Sequence, residues 1–245
     1  MSLLFEELDF RPTPIGALSL RRRRDLALDV DVFEIKLGDA FLMSSLFTAS
    51  EVALARLGLA ATAGARLDVV VGGLGLGCTA RSVLEDGRVD SLIVVEMLDA
   101  VIEWHRTGLL PLGPELTGDR RCRFVNGDFF AMVDSETGFD ADAPGRRFDA
   151  ILVDIDHSPE ALLDSRSSGF YQCDGLRAVS ARLKPGGVFG LWSNDKPDET
   201  FTRGLSRVFA QAWGEPVTFH NPLQNRPFTQ TVYLARTAIT PDAAA

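Results

Sequence analysis

Short apolar runs alternate with segments of helical spacing from residue 48 onward. The runs are rich in Val, Ile and Leu, which is typical of buried strands, and the segments between them place apolar residues three and four positions apart, which is typical of helices. Alternation of strands and helices predicts a parallel, doubly wound α/β sheet. We expect strands at residues 68–71, 91–96, 121–125, 148–153 and 188–192. The intervening helices are expected near 50–57, 78–85, 99–105, 129–133, 175–183 and 200–213.

The first 47 residues follow a different pattern. Residues 1–20 contain two prolines and a glycine and are predicted to be irregular, whereas residues 27–37 alternate apolar and polar side chains with the period of a strand. A turn at Gly38-Asp39 and a returning strand at 40–43 complete the expected antiparallel sheet over residues 17–47. We therefore divide the chain into a small N-terminal β domain (1–47), a Rossmann-like domain (48–236) with an antiparallel C-terminal edge (217–220 and 229–235), and a disordered tail (237–245).

Thr48 or Ser50 is the expected N-cap of the first helix, because both side chains can accept a hydrogen bond from a free backbone N–H group. Glu51 follows in the first turn, where a carboxylate favours helix formation.

A glycine-rich turn follows the first strand of the predicted Rossmann-like domain. The sequence Val69-Val70-Val71-Gly72-Gly73-Leu74-Gly75-Leu76-Gly77 lets the backbone turn sharply and approach a ligand closely. Such a turn alone is a weak signal. Here a strand precedes it, a helix follows it, and the next strand ends on Glu96, 19 positions after Gly77. A carboxylate at that place can accept hydrogen bonds from both hydroxyls of a ribose, so the set predicts a nucleoside site. The alternative is an ordinary α/β turn with a surface glutamate.

Composition narrows the range of partners. With 245 residues, 46% hydrophobic and 24% charged, the chain suits one α/β domain with a small appendage. The net charge of −9 argues against a nucleic-acid binder, and no run reaches the roughly 18 apolar residues needed to span a bilayer. Three scattered cysteines fit neither a disulfide framework nor a zinc site, which favours a reducing cytoplasm.

Three acids end predicted parallel strands. Glu96, Asp128 and Asp154 each stand at a strand's carboxyl end, where open α/β sheets bind their ligands. We expect them to converge beside the glycine turn. No metal is required by this set, because histidines at ligand spacing are absent; His157 stands alone.

The order of these motifs resembles the class I S-adenosylmethionine-dependent methyltransferase fold and, within it, the spermidine synthase (polyamine aminopropyltransferase) family. The matching segments are 71–77, Val95–Glu103, Gly127-Asp128-Phe129, 148–154, Phe170-Tyr171 and Leu183-Lys184-Pro185-Gly186-Gly187.

The resemblance implies a transferase and assigns roles to particular residues. The donor would be decarboxylated S-adenosylmethionine or S-adenosylmethionine, the acceptor a small-molecule amine, and the assembly a homodimer without a metal. Asp154 would be the catalytic acid–base residue. Substrate binding would involve Glu51, Asp156 and His157, and the donor would be bound by Gly72, Gly73, Gly75, Gly77, Glu96, Met97, Asp128 and Phe129.

Several positions depart from the family pattern. Gly75 stands where the family has an Asp that meets the donor's amine, and His157 stands where its catalytic loop has a second acid. Ala49-Ser50-Glu51 replaces the family's Tyr-His-Glu. The fold and the nucleoside pocket thus match the family, while the residues that recognise a diamine are largely changed.

Three functional hypotheses follow. The first is transfer of an aminopropyl or related alkyl group to an amine. The second is methyl transfer from intact S-adenosylmethionine to a small molecule, and the third is a non-catalytic nucleoside-binding paralogue.

Overall fold

Two sheets organise the chain in a computed structural model that describes residues 4–13 and 15–239. The first is a four-stranded antiparallel sheet in the order β1-β2-β3-β4. The second has seven strands in the order β10-β11-β9-β8-β5-β6-β7, with β5 to β9 parallel and β10 and β11 antiparallel at one edge. The predicted fold class is therefore confirmed: a Rossmann-like, mostly parallel sheet with an N-terminal antiparallel sheet.

The N-terminal sheet consists of β1 (Phe5–Thr13), β2 (Gly16–Asp25), β3 (Val30–Leu37) and β4 (Ala40–Ser44). The prediction of an irregular segment up to residue 20 is wrong, because Phe5–Thr13 pairs with β2 throughout its length. Charged residues and Pro12 obscure its alternation, and as an edge strand it tolerates a proline. The arginines of residues 21–24 lie in β2, where Arg22 and Arg23 form ion pairs with Glu6 of β1 and Glu34 of β3.

Helix α1 (Ala49–Ala61) leads from the small sheet into the large one. The predicted cap does not form, since the Thr48 side chain accepts no cap hydrogen bond and the Ser50 hydroxyl is used elsewhere. The large domain then continues as β5 (Leu67–Gly72), α2 (Cys78–Leu84), β6 (Val89–Glu96), α3 (Asp99–Arg106), α4 (Gly113–Gly118), β7 (Cys122–Asn126), α5 (Phe129–Asp134) and β8 (Phe148–Val153). After a 3₁₀ helix at Ser165–Tyr171 come α6 (Cys173–Ala181), β9 (Leu183–Ser193), α7 (Glu199–Ser206), β10 (Gln211–Asn221) and β11 (Arg226–Arg236).

The last predicted helix is too long. Helix α7 ends at Ser206, and Trp213 lies in β10, which pairs with β11 over its whole length. Strand pairing thus overrides a helical spacing that continues past the helix end. At the C-terminus, Thr237 donates its backbone N–H to Gly187 O at 3.0 Å, and residues 240–245 of the predicted tail lie outside the described residues.

The sheet order positions the site. The carboxyl ends of β7, β6, β5, β8 and β9 stand in a row, so that residues following these strands lie side by side. Apolar clusters cover both faces of the sheet, one including α1 to α3 and the other including α5 to α7. Residues at the strand ends are therefore held by a rigid scaffold.

Candidate active site

A cavity of about 620 Å³ lies along this row of strand ends. It brings together nearly all of the predicted site residues, with Glu96 and Asp128 on the β6 and β7 side and Asp154 on the β8 side. The predicted residues on its lining are Glu51, Gly73, Gly75, Glu96, Met97, Asp128, Phe129, Asp154, Asp156 and His157. Gly72 and Gly77 flank the lining, at the end of β5 and at the start of α2.

The glycine turn brings two strand-end loops into close contact. Gly73 has a positive φ of 92°, and a Cβ there would overlap the backbone carbonyl oxygen of Asp154. Asp154 also donates its backbone N–H to Gly72 O at 2.8 Å. A glycine is required at 73 for this approach, and the approach fixes where Asp154 stands.

Backbone N–H groups of the glycine turn and of the segment after β6 hold the Glu96 carboxylate in place. Its Oε2 accepts a hydrogen bond from Leu74 N at 3.0 Å, and its Oε1 accepts one from Leu98 N at 2.8 Å. Burial raises the pKa of the Glu96 carboxyl, while these backbone donors act in the opposite direction. Glu96 lines the cavity, so a bound ligand can reach its carboxylate.

Asp128 and Phe129 begin helix α5. The Asp128 side chain caps the helix, because its Oδ1 accepts hydrogen bonds from Phe130 N at 2.9 Å and Ala131 N at 3.3 Å. Phe129 is buried against Gly72, whose added Cβ would lie 2.7 Å from the ring. Met97, next to Glu96, is an exposed residue at the cavity edge. Asp128 thus has a structural role that does not occupy both of its oxygens.

Asp154 lies on the opposite side of the glycine turn from Glu96. Thr79 Oγ1 donates a hydrogen bond of 2.7 Å to Asp154 Oδ2 from the first turn of α2. Burial raises the pKa of Asp154 to about 6, although the Thr79 hydroxyl lowers it. A carboxyl group with this pKa changes its protonation state near neutral pH.

Glu51 is a buried carboxyl group close to Asp154. It is 7% exposed, and burial together with the negative charge of Asp154 raises its pKa to about 7. The Ser50 hydroxyl lies 2.7 Å from Glu51 Oε2. The two carboxyl groups come from α1 and from the end of β8, which are far apart in sequence, so their pairing could not be read from spacing.

Asp156 stabilises the loop that follows Asp154. This carboxylate accepts hydrogen bonds from Leu163 N at 2.7 Å, Tyr171 Oη at 2.7 Å and Ser167 Oγ at 3.2 Å. It is 2% exposed, so its donors come from the protein and its geometry suits shaping the loop. His157 is half-buried on the cavity wall, and its carbonyl oxygen accepts a hydrogen bond of 2.7 Å from Asn194 N.

The N-terminal sheet supplies an apolar wall. Met43 Sδ accepts a hydrogen bond from Leu76 N at 2.9 Å and occupies the space that a side chain at Gly75 would need. Gly75 has a φ of 47°. The other residues of this wall are Ile15, Ile35, Leu37 and Leu42.

Four residues of the site carry no sequence signal that we used. Thr79 and Met43 reach the site through their contacts with Asp154 and Leu76, and Gln230 of β11 contacts the Ser50 hydroxyl at 2.7 Å. Trp192 lines the cavity and donates its Nε1–H to Ser50 Oγ at 2.8 Å. A polar residue in the first turn after the glycine loop is the one local hint that was available for Thr79.

Within residues 4–13 and 15–239, no three His, Cys, Asp or Glu side chains are grouped as metal ligands. None of the helices in the same residues is long and apolar enough to cross a membrane.

Comparisons with known proteins agree with the fold and the motifs. No family model matches the chain. Polyamine aminopropyltransferase 2 of Pseudomonas aeruginosa is 27% identical over an alignment of 154 residues, and the match covers 59% of this chain and 40% of that protein. The chain therefore matches less than half of the length of this relative.

Two solved structures share the fold. Spermidine synthase from Thermotoga maritima superposes with a TM-score of 0.70 at 19% identity, covering 97% of this chain and 74% of that one. A spermidine synthase in complex with the transition state analogue AdoDATO superposes with a TM-score of 0.71 at 20% identity, covering 96% and 75%. The resemblance to spermidine synthases is supported. The homodimer and the cytoplasmic location stay predictions.

Proposed function

We propose that the chain is a spermidine synthase-like transferase that moves an aminopropyl or related alkyl group from decarboxylated S-adenosylmethionine to an amine. The observation that carries this proposal is the position of Asp154, a carboxyl group with a pKa of about 6 beside the glycine turn, in one cavity with Glu96. The similarity to a polyamine aminopropyltransferase supports the same reaction class.

The strand order suggests how two substrates share the cavity. Glu96 would hold the ribose hydroxyls of the donor and Asp128 its adenine amino group, on the β6 and β7 side. The glycine turn after β5 then faces the reacting part of the donor. The acceptor would lie on the β8 and β9 side, against Asp154 and Trp192. Bond formation would take place between these two ends.

Asp154 would bind the acceptor and take its proton. An amine with a pKa near 10 arrives mostly as an ammonium ion, which has no free lone pair. The Asp154 carboxylate attracts the cation, orients it and accepts one N–H proton. The freed lone pair forms the new C–N bond while the C–S bond of the sulfonium breaks, and both electrons of that bond go to sulfur. Raising the pKa of Asp154 from its usual value to about 6 brings it closer to that of the amine, which favours proton transfer.

The apolar wall bears on the choice of acceptor. Met43, Leu37 and Ile35 offer no acceptor for a second ammonium group, and an unpaired buried charge is strongly unfavourable. We therefore expect an amine whose non-reacting end lies along this wall to react better when that end is apolar than when it carries a second ammonium group. Product formation with a matched pair, an alkylamine and the corresponding diamine, tests this expectation; faster reaction of the diamine contradicts it.

Donor binding is the first experiment. Thermal unfolding is measured with decarboxylated S-adenosylmethionine, S-adenosylmethionine, methylthioadenosine and S-adenosylhomocysteine. The proposal predicts stabilisation by methylthioadenosine and by the decarboxylated donor, because a ligand that binds only the folded state raises its stability. Stabilisation confined to S-adenosylmethionine and S-adenosylhomocysteine would favour methyl transfer, and no stabilisation by any of the four would refute the adenosine site.

A further inference from the structure

Three groups converge on the Ser50 hydroxyl behind the acceptor side of the cavity. Ser50 Oγ lies 2.7 Å from Glu51 Oε2 and 2.7 Å from Gln230 Oε1, and it accepts a hydrogen bond of 2.8 Å from Trp192 Nε1. Ser50 is 1% exposed, so no bulk water takes part. All of these contacts are of hydrogen-bond length, and each needs a proton between its two atoms.

The number of protons available for the hydrogen bonds of Ser50 determines the protonation state of Glu51. A serine hydroxyl has one proton and two lone pairs. Gln230 Nε2 donates to Asn194 Oδ1 at 2.9 Å, so the Gln230 carbonyl oxygen faces Ser50 and can only accept. Once the Ser50 proton is given to Gln230, the 2.7 Å contact with Glu51 needs a proton from Glu51 itself. The two lone pairs of Ser50 then serve Trp192 and Glu51.

The surroundings of Glu51 favour the same state. Burial raises its pKa to about 7 and repulsion from Asp154 adds to the effect, and together they outweigh the hydrogen bond with Ser50, which acts in the opposite direction. The Cys78 thiol of α2 is a further titratable neighbour among the described residues, and burial raises its pKa to about 12, so it stays neutral. On the side of β9 and β11, Trp192 and Gln230 form hydrogen bonds with Ser50, which in turn contacts Glu51. Both of these side chains are uncharged.

We propose that Glu51 is a neutral carboxylic acid that donates its proton to Ser50, so that Asp154 carries the one negative charge of the carboxyl pair. Glu51 is then a positioning residue: it ties α1 to β9 and β11 through Ser50 and keeps a second anion away from the acceptor. The consequence for the reaction rests on the proposed amine transfer. It makes Asp154, and not Glu51, the group that receives the amine proton.

The protonation state can be measured without any activity. A carboxyl group whose pKa is raised by folding contributes stability that is fully present below its unfolded pKa, near 4.5, and is lost as pH rises through about 7. Unfolding by urea is therefore compared between wild type and Glu51→Gln at about pH 5 and about pH 8. The ratio of the wild-type to the variant unfolding constant should rise by up to about a hundredfold over this range.

A matched control isolates the effect of Glu51. Glu199→Gln removes a carboxylate whose side chain is 93% exposed, and its unfolding constants should run parallel to those of wild type. The amide that replaces the acid in Glu51→Gln can also donate to Ser50, so the variant is expected to fold. Parallel curves for wild type and Glu51→Gln would overturn the proposal, because they would mean an ionised Glu51 that accepts from Ser50.

A second measurement applies if Glu51→Gln does not fold. Infrared difference spectra of Asp154→Asn between about pH 5 and about pH 9 should show a buried carboxylic acid carbonyl band that disappears as pH rises. Absence of that band overturns the proposal as well.

The pH–rate profile then separates this inference from the proposed function. With an amine acceptor, Glu51→Gln should keep the acidic limb at about pH 6 that Asp154 produces, and loss of that limb would make Glu51 the anionic group, against the proposal. If no amine is alkylated while the unfolding constants diverge as predicted, the proposed function fails and the neutral Glu51 stands.

Discussion

Thr79 Oγ1 donates a hydrogen bond of 2.7 Å to Asp154 Oδ2, and this contact joins the first turn of α2 to the end of β8. It fixes the direction of the carboxylate and stabilises its ionised form, while burial favours the neutral form. The balance between these two effects places the pKa of Asp154 in the range that proton transfer requires.

Removing the charge of Asp154 should stop the reaction without removing the donor. Asp154→Asn keeps the shape of the side chain but can neither attract an ammonium ion nor accept its proton. We expect kcat to fall by about 10²- to 10⁴-fold, while affinity for methylthioadenosine, measured by calorimetry, changes little. Asp142→Asn, at an exposed surface acid, is the matched control. Turnover by Asp154→Asn at the wild-type rate would exclude Asp154 from its role.

Removing the Thr79 hydroxyl should move the pH dependence of the reaction. Wild-type activity should rise with pH through about 6, as Asp154 ionises. Thr79→Val deletes the hydrogen bond that lowers this pKa, and a bond to a charged group contributes about 1.5–3 kcal/mol, so the acidic limb should move up by about one pH unit or more. The measurement is kcat/KM against pH; a limb that stays in place or moves down contradicts this account.

Substitution of Glu96 should weaken the binding of every adenosine ligand to a similar extent. Glu96→Ala removes the proposed acceptor for the ribose hydroxyls and the two hydrogen bonds that the Glu96 carboxylate accepts from Leu74 N and Leu98 N. We expect the Kd of methylthioadenosine and of both sulfonium donors to rise by about 10- to 100-fold, since hydrogen bonds to a carboxylate are worth about 1.5–3 kcal/mol. Asp90→Ala, in the same strand away from its carboxyl end, serves as control. Equal affinities in wild type and Glu96→Ala would refute the ribose assignment.

Gly75 and Met43 should show energetic coupling. Gly75→Ala imposes a positive φ on an alanine and pushes its Cβ onto Met43 Sδ, so we expect a loss of about 1–3 kcal/mol in the free energy of unfolding. Gly38→Ala has a similar φ, 57°, in open space and measures the backbone strain alone. In the double variant with Met43→Ala the loss should be smaller than the sum of the single losses. Additive losses would mean that the two residues are not in contact.

Much of this architecture can be predicted from local pattern. The strands β5 to β9 follow from apolar runs that the sheet buries on both faces, and the glycine turn with Glu96 follows from their spacing. Strand β1 is not predicted from the sequence because its charged side chains and its proline, which an edge strand tolerates, obscure the alternation of a strand. Helix α7 is shorter than its sequence pattern predicts because the pairing of β10 with β11 outweighs helical spacing.

The site could be predicted only where it lies at strand ends. Glu96, Asp128 and Asp154 follow from the rule that parallel sheets bind ligands at their carboxyl edge. The residues that contact these acids or their neighbours come from distant segments. Thr79 lies in the first turn of α2, Glu51 in α1 and Gln230 in β11. Their contacts depend on tertiary packing, which no local period encodes.

The most direct test of the central claim is mass spectrometry of the products formed from decarboxylated S-adenosylmethionine and a panel of amines. We predict an amine enlarged by one aminopropyl group, an equal amount of methylthioadenosine, and neither product with Asp154→Asn. A methylated product from S-adenosylmethionine, or no product from any amine by a protein that binds methylthioadenosine, would contradict it.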